Sequence, residues 1–135
     1  MMVEIDSKLI ADYLRERVGA YLVILFGSHS KGVARGDSDI DIAYLSDTQL
    51  GSYEIFLVAQ ELANQVGCEV DLLDLKVAST VMKAQVISSG QVIYCIDEVR
   101  RMYFYMRSLK EYAMLNEERA VILQDIIRRG SVYGQ

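Results

Sequence analysis

The sequence contains no proline, a single histidine and only two cysteines, and it has no long apolar run. A helix that crosses a membrane needs about 20 consecutive apolar residues, so we expect neither a membrane-spanning segment nor a membrane partner. The N-terminus, MMVEIDSKLI, has no basic stretch followed by an apolar one, so we expect no signal peptide. No low-complexity segment or internal repeat interrupts the chain, and its 135 residues fit a single domain.

Basic residues are also scarce, since 14 Lys and Arg stand against 19 Asp and Glu and the net charge is -5. Sequence-independent binding of nucleic acid depends on Lys and Arg at the phosphates, so we expect no direct nucleic-acid partner. Cys68 and Cys95 lie far apart beside apolar runs and lack the spacing of metal ligands. We interpret them as buried thiols in a reducing compartment, which predicts a cytoplasmic protein.

The stretch Gly27–Asp41, GSHSKGVARGDSDID, differs most from the rest of the chain. It separates two apolar runs, Tyr21–Phe26 and Ile40–Leu45, that we interpret as buried strands. Three glycines and three serines within it predict a loop whose backbone comes close to another group. If Ser28–Gly32 forms one helical turn, its free N–H groups face the strand end, where a phosphate can bind.

Two carboxylates, Asp39 and Asp41, lie two positions apart at the start of the second strand. Side chains in a strand alternate between faces, so the two acids share one face and Ile40 and Ile42 point the other way, into a core. Adjacent like charges repel each other unless a cation lies between them, and Mg²⁺ is the usual cation where phosphates are bound. An Asp-x-Asp at a strand edge can also be a solvated pair without any function.

Apolar periodicity predicts helices and strands that alternate along the chain. The clearest helix covers 55–66, where six apolar residues recur on one face and Gly67 follows as a stop signal. Such alternation predicts an α/β or mixed α+β fold in which helices cover a sheet. The other predicted helices cover 4–17, 77–87 and 97–129, the last with a break at 116–118, and the predicted strands cover 21–26, 39–45, 68–75 and 91–95.

The third predicted strand supplies a further acid, Asp71, between Val70 and Leu72. A buried carboxylate is unfavourable unless it is paired or binds a metal, so Asp71 is the natural third carboxylate beside Asp39 and Asp41. Two alternatives remain at this point. Asp71 can be a sheet-edge residue bonded to nearby backbone, and Asp74 can compete for the role, although its place near the strand end is typical of a turn or cap.

The order strand, Gly27-Ser28, ten residues and Asp39-x-Asp41 resembles the signature of the DNA polymerase beta-like nucleotidyltransferase superfamily. The resemblance implies a palm, which is a small mixed sheet flanked by helices that carries the catalytic carboxylates on one face. It also implies ATP as substrate and two Mg²⁺ ions held by Asp39, Asp41 and Asp71, an arrangement that transfers a nucleoside monophosphate and releases pyrophosphate.

The same resemblance implies a role for the other residues of the site. The backbone at Gly27 and the Ser28 hydroxyl would hold the β- and γ-phosphates, and Asp71 would accept the proton of the attacking hydroxyl. His29 lies where the family commonly has Arg or another polar residue, so we expect no catalytic role for it. Three further nucleotide-binding candidates, each of which can equally be a solvated loop residue, are Ser38, Arg35 and Lys31.

The short length and the helical end of the chain narrow the resemblance to the minimal nucleotidyltransferase antitoxins of the MntA type, which are encoded beside HEPN-domain ribonuclease toxins. That resemblance implies a core at 1–98, a helical extension at 99–135, and AMP transfer from ATP to a tyrosine of the toxin. Two alternatives are an aminoglycoside-type enzyme that modifies a small hydroxyl compound and a module that binds the toxin without catalysis. The four residues Ser28, Asp39, Asp41 and Asp71 disfavour the non-catalytic alternative.

The helical extension carries more apolar residues than one buried face can cover. We expect the core-facing stripe to consist of Val99, Met102, Met106, Leu109 and Ala113. Because aromatic residues and Met are enriched at interfaces, the remaining apolar residues predict a protein partner, with folding back onto the core or a homodimer as alternatives. These remaining residues are Tyr103, Phe104, Tyr105, Tyr112, Met114 and Leu115.

Overall fold

A computed structural model of the chain describes residues 2–27, 33–35 and 39–133. Within these ranges strands and helices alternate along most of the chain, as the apolar periodicity predicts. The elements are β1 (Met2–Glu4), α1 (Ser7–Val18), β2 (Ala20–Phe26), β3 (Val33–Arg35), β4 (Ile40–Ser46), α2 (Ser52–Val66), β5 (Val70–Asp74), a 3₁₀ turn (Leu75–Val77), α3 (Thr80–Ser89), β6 (Gln91–Cys95) and α4 (Glu98–Tyr133).

Four strands form one mixed sheet in the order β5-β4-β2-β6. Strand β2 pairs antiparallel with both β4 and β6, whereas β4 and β5 are parallel. The parallel pair is joined through α2, the expected kind of crossover between parallel strands. The predicted mixed sheet with flanking helices is therefore confirmed.

Two short strands, β1 and β3, form a separate antiparallel ribbon in which Val3 lies opposite Ala34. The sequence gives no sign of this ribbon, because three residues are too few to show an alternating pattern. It ties Val33–Arg35, in the middle of the Gly-Ser loop, to the N-terminal strand.

The sheet has a hydrophobic core on each face. On the first face, Ile40, Ile42 and Leu72 pack with buried residues of α1 and α2, such as Leu14 and Leu62. On the second face, buried residues of β2 and β4 pack beneath α3 and the first part of α4; these include Leu22, Ile24, Phe26, Ala43 and Leu45. Strands buried on both sides explain the continuous apolar runs in the sequence.

Helix ends follow the signals in the sequence. The Asp6 carboxylate accepts a hydrogen bond from the Leu9 N–H at 3.1 Å, which caps the start of α1. Gly19 ends α1 and Gly67 ends α2, each in the left-handed conformation with φ of 67° and 80°.

Helix α4 departs from two expectations. It is continuous over 36 residues, so the predicted break at 116–118 is wrong. The predicted core-facing stripe is also wrong, because Val99, Met102 and Met106 are more than half exposed. Instead, Ser108 is buried and the half-buried Phe104 packs against the second core. Among the described residues, none of the helices is both long and apolar enough to cross a membrane.

Candidate active site

The candidate site lies at one end of the sheet, where β2 ends and β4 and β5 begin. Asp41 stands opposite Phe26 on one side and opposite Asp71 on the other. Asp39 immediately precedes β4 and is exposed. Residues in register on neighbouring strands share a face, so Asp41 and Asp71 both lie on the second face of the sheet.

The environment of Asp71 differs from the expectation of a buried acid. Asp71 is exposed although it lies within β5, because β5 is the strand at the edge of the sheet. Its carboxylate is therefore solvated, and burial does not explain its presence. Its position opposite Asp41 is what makes it a candidate for the third acid.

Asp74 is placed away from this group. It stands opposite Tyr44, whose side chain is part of the first core, and it is 5% exposed. Its Oδ1 accepts a hydrogen bond from the Lys76 N–H at 3.1 Å, which caps the 3₁₀ turn. Burial, followed by the charge of Asp74, raises the pKa of Tyr44 to about 12. Asp74 is thus a buried cap, as its place in the sequence predicts.

Gly27 brings the backbone against the Asp41 carboxylate. Its φ of 72° belongs to the left-handed region, which residues with a Cβ rarely adopt. A Cβ at this position would lie 3.3 Å from the Asp41 Cγ and would collide with Oδ2. The glycine is therefore required both by its conformation and by the close approach of Asp41.

Several predicted site residues lie outside the described part of the chain. These are Ser28, Lys31 and Ser38, together with His29 and the predicted helical turn at 28–32. Arg35 belongs to β3 through its backbone, but its side chain is not described. Their proposed contacts with nucleotide stay predictions.

The donor types at the site suit a hard cation, because Mg²⁺ prefers carboxylate oxygens. Within residues 2–27, 33–35 and 39–133, no three His, Cys, Asp or Glu side chains converge closely enough to hold an ion. Asp41 and Asp71 nevertheless fit Mg²⁺ by their chemistry and their register.

The negative charge of Asp39 acts on the nearby thiol of Cys68. Cys68 is a free, half-buried thiol, and its pKa is raised mainly by burial and further by the negative charge of Asp39. Asp39 therefore lies close enough to the start of β5 for its charge to act there. The sequence predicted buried thiols, whereas both cysteines are only partly buried.

Comparison with known proteins shows that the chain is similar to nucleotidyltransferases. The family described as "Polymerase beta, Nucleotidyltransferase" matches residues 8–99. The protein adenylyltransferase MntA of Shewanella oneidensis is 33% identical over 127 residues, which cover 93% of this chain and 91% of that protein.

Solved structures agree with that comparison. A chain in a crystal structure of a toxin–antitoxin with AMP-PNP is 34% identical, with a TM-score of 0.80, and the match covers 91% of this chain and 99% of that chain. A second structure contains the tri-AMPylated HEPN toxin of Shewanella oneidensis in complex with the MNT antitoxin. Its matching chain is 32% identical with a TM-score of 0.75, over 90% of this chain and 95% of that one.

Proposed function

Because the chain belongs to the polymerase beta-type nucleotidyltransferase family, we propose that it transfers AMP from ATP to a HEPN-domain toxin and thereby neutralises that toxin. The observation that carries the proposal is the register of Asp41 with Asp71 beside the left-handed Gly27. The relative named protein adenylyltransferase and the complex of an AMPylated HEPN toxin with its antitoxin support the choice of donor and acceptor.

The reaction is a substitution at the α-phosphorus of ATP. A tyrosine hydroxyl of the toxin attacks this phosphorus, the new O–P bond forms, and the bond to the β-phosphate breaks to release pyrophosphate. Asp71, which is exposed on the edge strand β5, accepts the hydroxyl proton. The Gly27 backbone, together with Ser28, orients the β- and γ-phosphates for in-line attack. Lys31, Arg35 and Ser38 are the remaining candidates for contacts with the triphosphate.

The metal belongs to this proposal as well. Asp39, Asp41 and Asp71 would hold Mg²⁺, which when bound neutralises triphosphate charge and favours ionisation of the attacking hydroxyl. Free thiols at Cys68 and Cys95 and the use of ATP suit the cytoplasm as the place of action.

Helix α4 is the proposed surface for the toxin. It is about 54 Å long, and every side chain from residue 116 to residue 130 except Asp125 is exposed. The side of α4 that carries the buried Ser108 and the half-buried Leu115 continues as Ile122 and Ile126, which are each 59% exposed. An apolar seam that runs past the edge of its own core is suited to a second helical protein.

Co-expression with the HEPN-domain protein of the neighbouring gene tests the function. We expect intact-mass spectra to show AMP-sized additions on the neighbour and none on this chain. A co-expressed Asp39→Asn variant should give the unmodified mass while both proteins still copurify. A stable complex without any mass change would contradict catalysis, and transfer to a small hydroxyl compound instead would identify an aminoglycoside-type enzyme.

Substitution of Gly27 tests whether its conformation serves the site. Gly27→Ala introduces left-handed strain of about 1–2 kcal/mol and a collision with Asp41, so we expect lower thermal stability and at least tenfold slower transfer. Gly67→Ala is the matched control, because Gly67 has φ of 80° but no heavy atom within 4 Å of an added Cβ. It should lose similar stability and keep the transfer rate. Equal rates in both variants would show that Gly27 is only a turn residue.

A further inference from the structure

A polar cavity lies on the α3 and α4 side of the sheet, near the ends of β2 and β4 that are opposite to Asp41. Its volume is about 370 Å³, within the range of small-molecule sites. Tyr21 and Leu45 contribute from the sheet, and Phe104 and the buried Ser108 contribute from α4. The other lining residues, most of them charged, are Lys76, Lys83, Arg100, Tyr103, Arg107 and Glu111.

Positive charge dominates this cavity although the whole chain is acidic. Arg100 forms an ion pair with Asp47, and its guanidinium lies 3.9 Å from the centre of the Tyr21 ring. The ion pairs among the described residues involve none of Lys76, Lys83 and Arg107. Among the lining residues four cations stand against one acid, Glu111, and the charges of Asp47, Asp74 and Asp97 also act on Tyr21 at the cavity.

Aromatic rings stand among these cations. Lys83 Nζ lies 5.7 Å from the centre of the Phe104 ring, and Tyr103, one residue earlier, is 65% exposed. Lys76 Nζ donates to the Ser46 carbonyl oxygen at 3.2 Å, which holds its charge at the edge of the cavity. Cations suit phosphate oxygens, and an accessible ring can stack on a flat base.

The cavity is separate from the candidate active site. Tyr21 lies five residues before Phe26 on β2, and Leu45 lies four residues after Asp41 on β4, so the two sites are about 13–17 Å apart along the strands. Both open on the second face of the sheet, since Leu45 of the cavity and Asp41 of the site lie on the same side of β4.

We propose that this cavity is a second anion-binding site, which takes the phosphate groups of a nucleotide between Lys83, Arg107 and Lys76. The base of this nucleotide stacks on the exposed ring of Tyr103. A ligand there bridges α3 and α4 and therefore holds the first part of α4 on the core. This site does not require the proposed toxin or the transfer reaction.

Titration of the full chain, labelled with ¹⁵N, by ATP in EDTA tests the proposal by NMR. We expect saturable shifts of the amide signals of Lys83, Phe104 and Ser108, together with an increase in melting temperature. Pyrophosphate should shift the same signals, whereas adenosine should act only weakly. In the double variant Lys83→Gln/Arg107→Gln, binding should weaken by at least about tenfold.

Controls separate this site from the candidate active site and from general charge effects. Lys110→Gln removes an exposed cation of the same helix outside the cavity and should leave binding unchanged. Lys83→Arg keeps the charge and should retain binding. Shifts confined to signals around Gly27 and Asp41, or unchanged binding in the double variant, would overturn the proposal. Shifts of the amide signals that an acidic peptide produces but ATP does not would also overturn the proposal. They would identify a protein-docking site.

Discussion

The Asp41→Asn variant should transfer AMP at least about 10³-fold more slowly than the unaltered chain while it keeps its fold. The substitution preserves the size of the side chain but removes a negative charge at the junction of three strands. Asp41 is half-exposed and belongs to neither hydrophobic core, so we expect the cores to keep their packing in this variant. The transfer rate, measured with the co-purified partner and ATP, tests the first expectation. A thermal unfolding curve tests whether the fold is kept.

Glu69→Gln is the matched control for this experiment. Glu69 is an exposed acid two residues before Asp71, so the change removes the same charge near the same strand. We expect its transfer rate to stay within about twofold of the unaltered chain, because screened surface charges have small effects. Equal losses of transfer rate in the two variants would indicate that any negative charge near β5 affects the rate. Full activity of Asp41→Asn would exclude Asp41 from the site.

Much of the fold follows from local signals in the sequence. Helix α2 shows six apolar residues on one face and a following glycine, and the structure ends the helix at that glycine. Strands β2 and β4 are continuous apolar runs because helices cover both faces of the sheet. The apolar period, the glycine stop signal and the observed burial thus agree for α2, β2 and β4. Each of these elements could be predicted without knowledge of the tertiary structure.

Other features depend on partners that are distant in sequence. The pairing of β1 with β3 joins residues about 30 positions apart, and neither strand is long enough to show a period. The exposure of Asp71 depends on where the sheet ends, which the residues around it do not reveal. The basic cavity combines Lys76, Lys83 and Arg107 from three elements that become neighbours only when α4 packs on α3.

Helix α4 shows why its buried side was misassigned. The side of α4 with Val99, Met102 and Met106 shows more regular apolar spacing than the side with Ser108. The helix nevertheless packs the side with Ser108 toward the core. Burial beneath α4 therefore uses aromatic rings such as Phe104 and leaves the apolar stripe exposed. A pattern predicts which residues share a face, but it does not determine which face packs inward when the helix has two apolar sides.

The double variant Ile122→Asp/Ile126→Asp should separate from the proposed toxin partner while its own domain stays as stable as before. Both side chains are 59% exposed, so charges there do not enter the core. Burial of two isoleucines contributes about 3–6 kcal/mol, and its loss should weaken the complex by at least about a hundredfold. Calorimetric titration of the separately purified proteins measures the affinity, and thermal unfolding checks the domain.

Val121→Asp is the matched control, since Val121 is 65% exposed and lies about 100° around the helix from Ile122, away from Ile126. We expect its affinity to remain within about threefold of the unaltered chain, because the added charge then lies about 100–140° around the helix from the two isoleucines. If both variants bind the partner normally, the seam of α4 is not the docking surface. If neither variant binds the partner, repulsion by the added charge would explain the result without the loss of an apolar contact. In that case the uncharged variant Ile122→Ala/Ile126→Ala should retain binding. Loss of binding in that uncharged variant assigns the contact to the isoleucine side chains, because truncation to alanine removes apolar surface without adding charge.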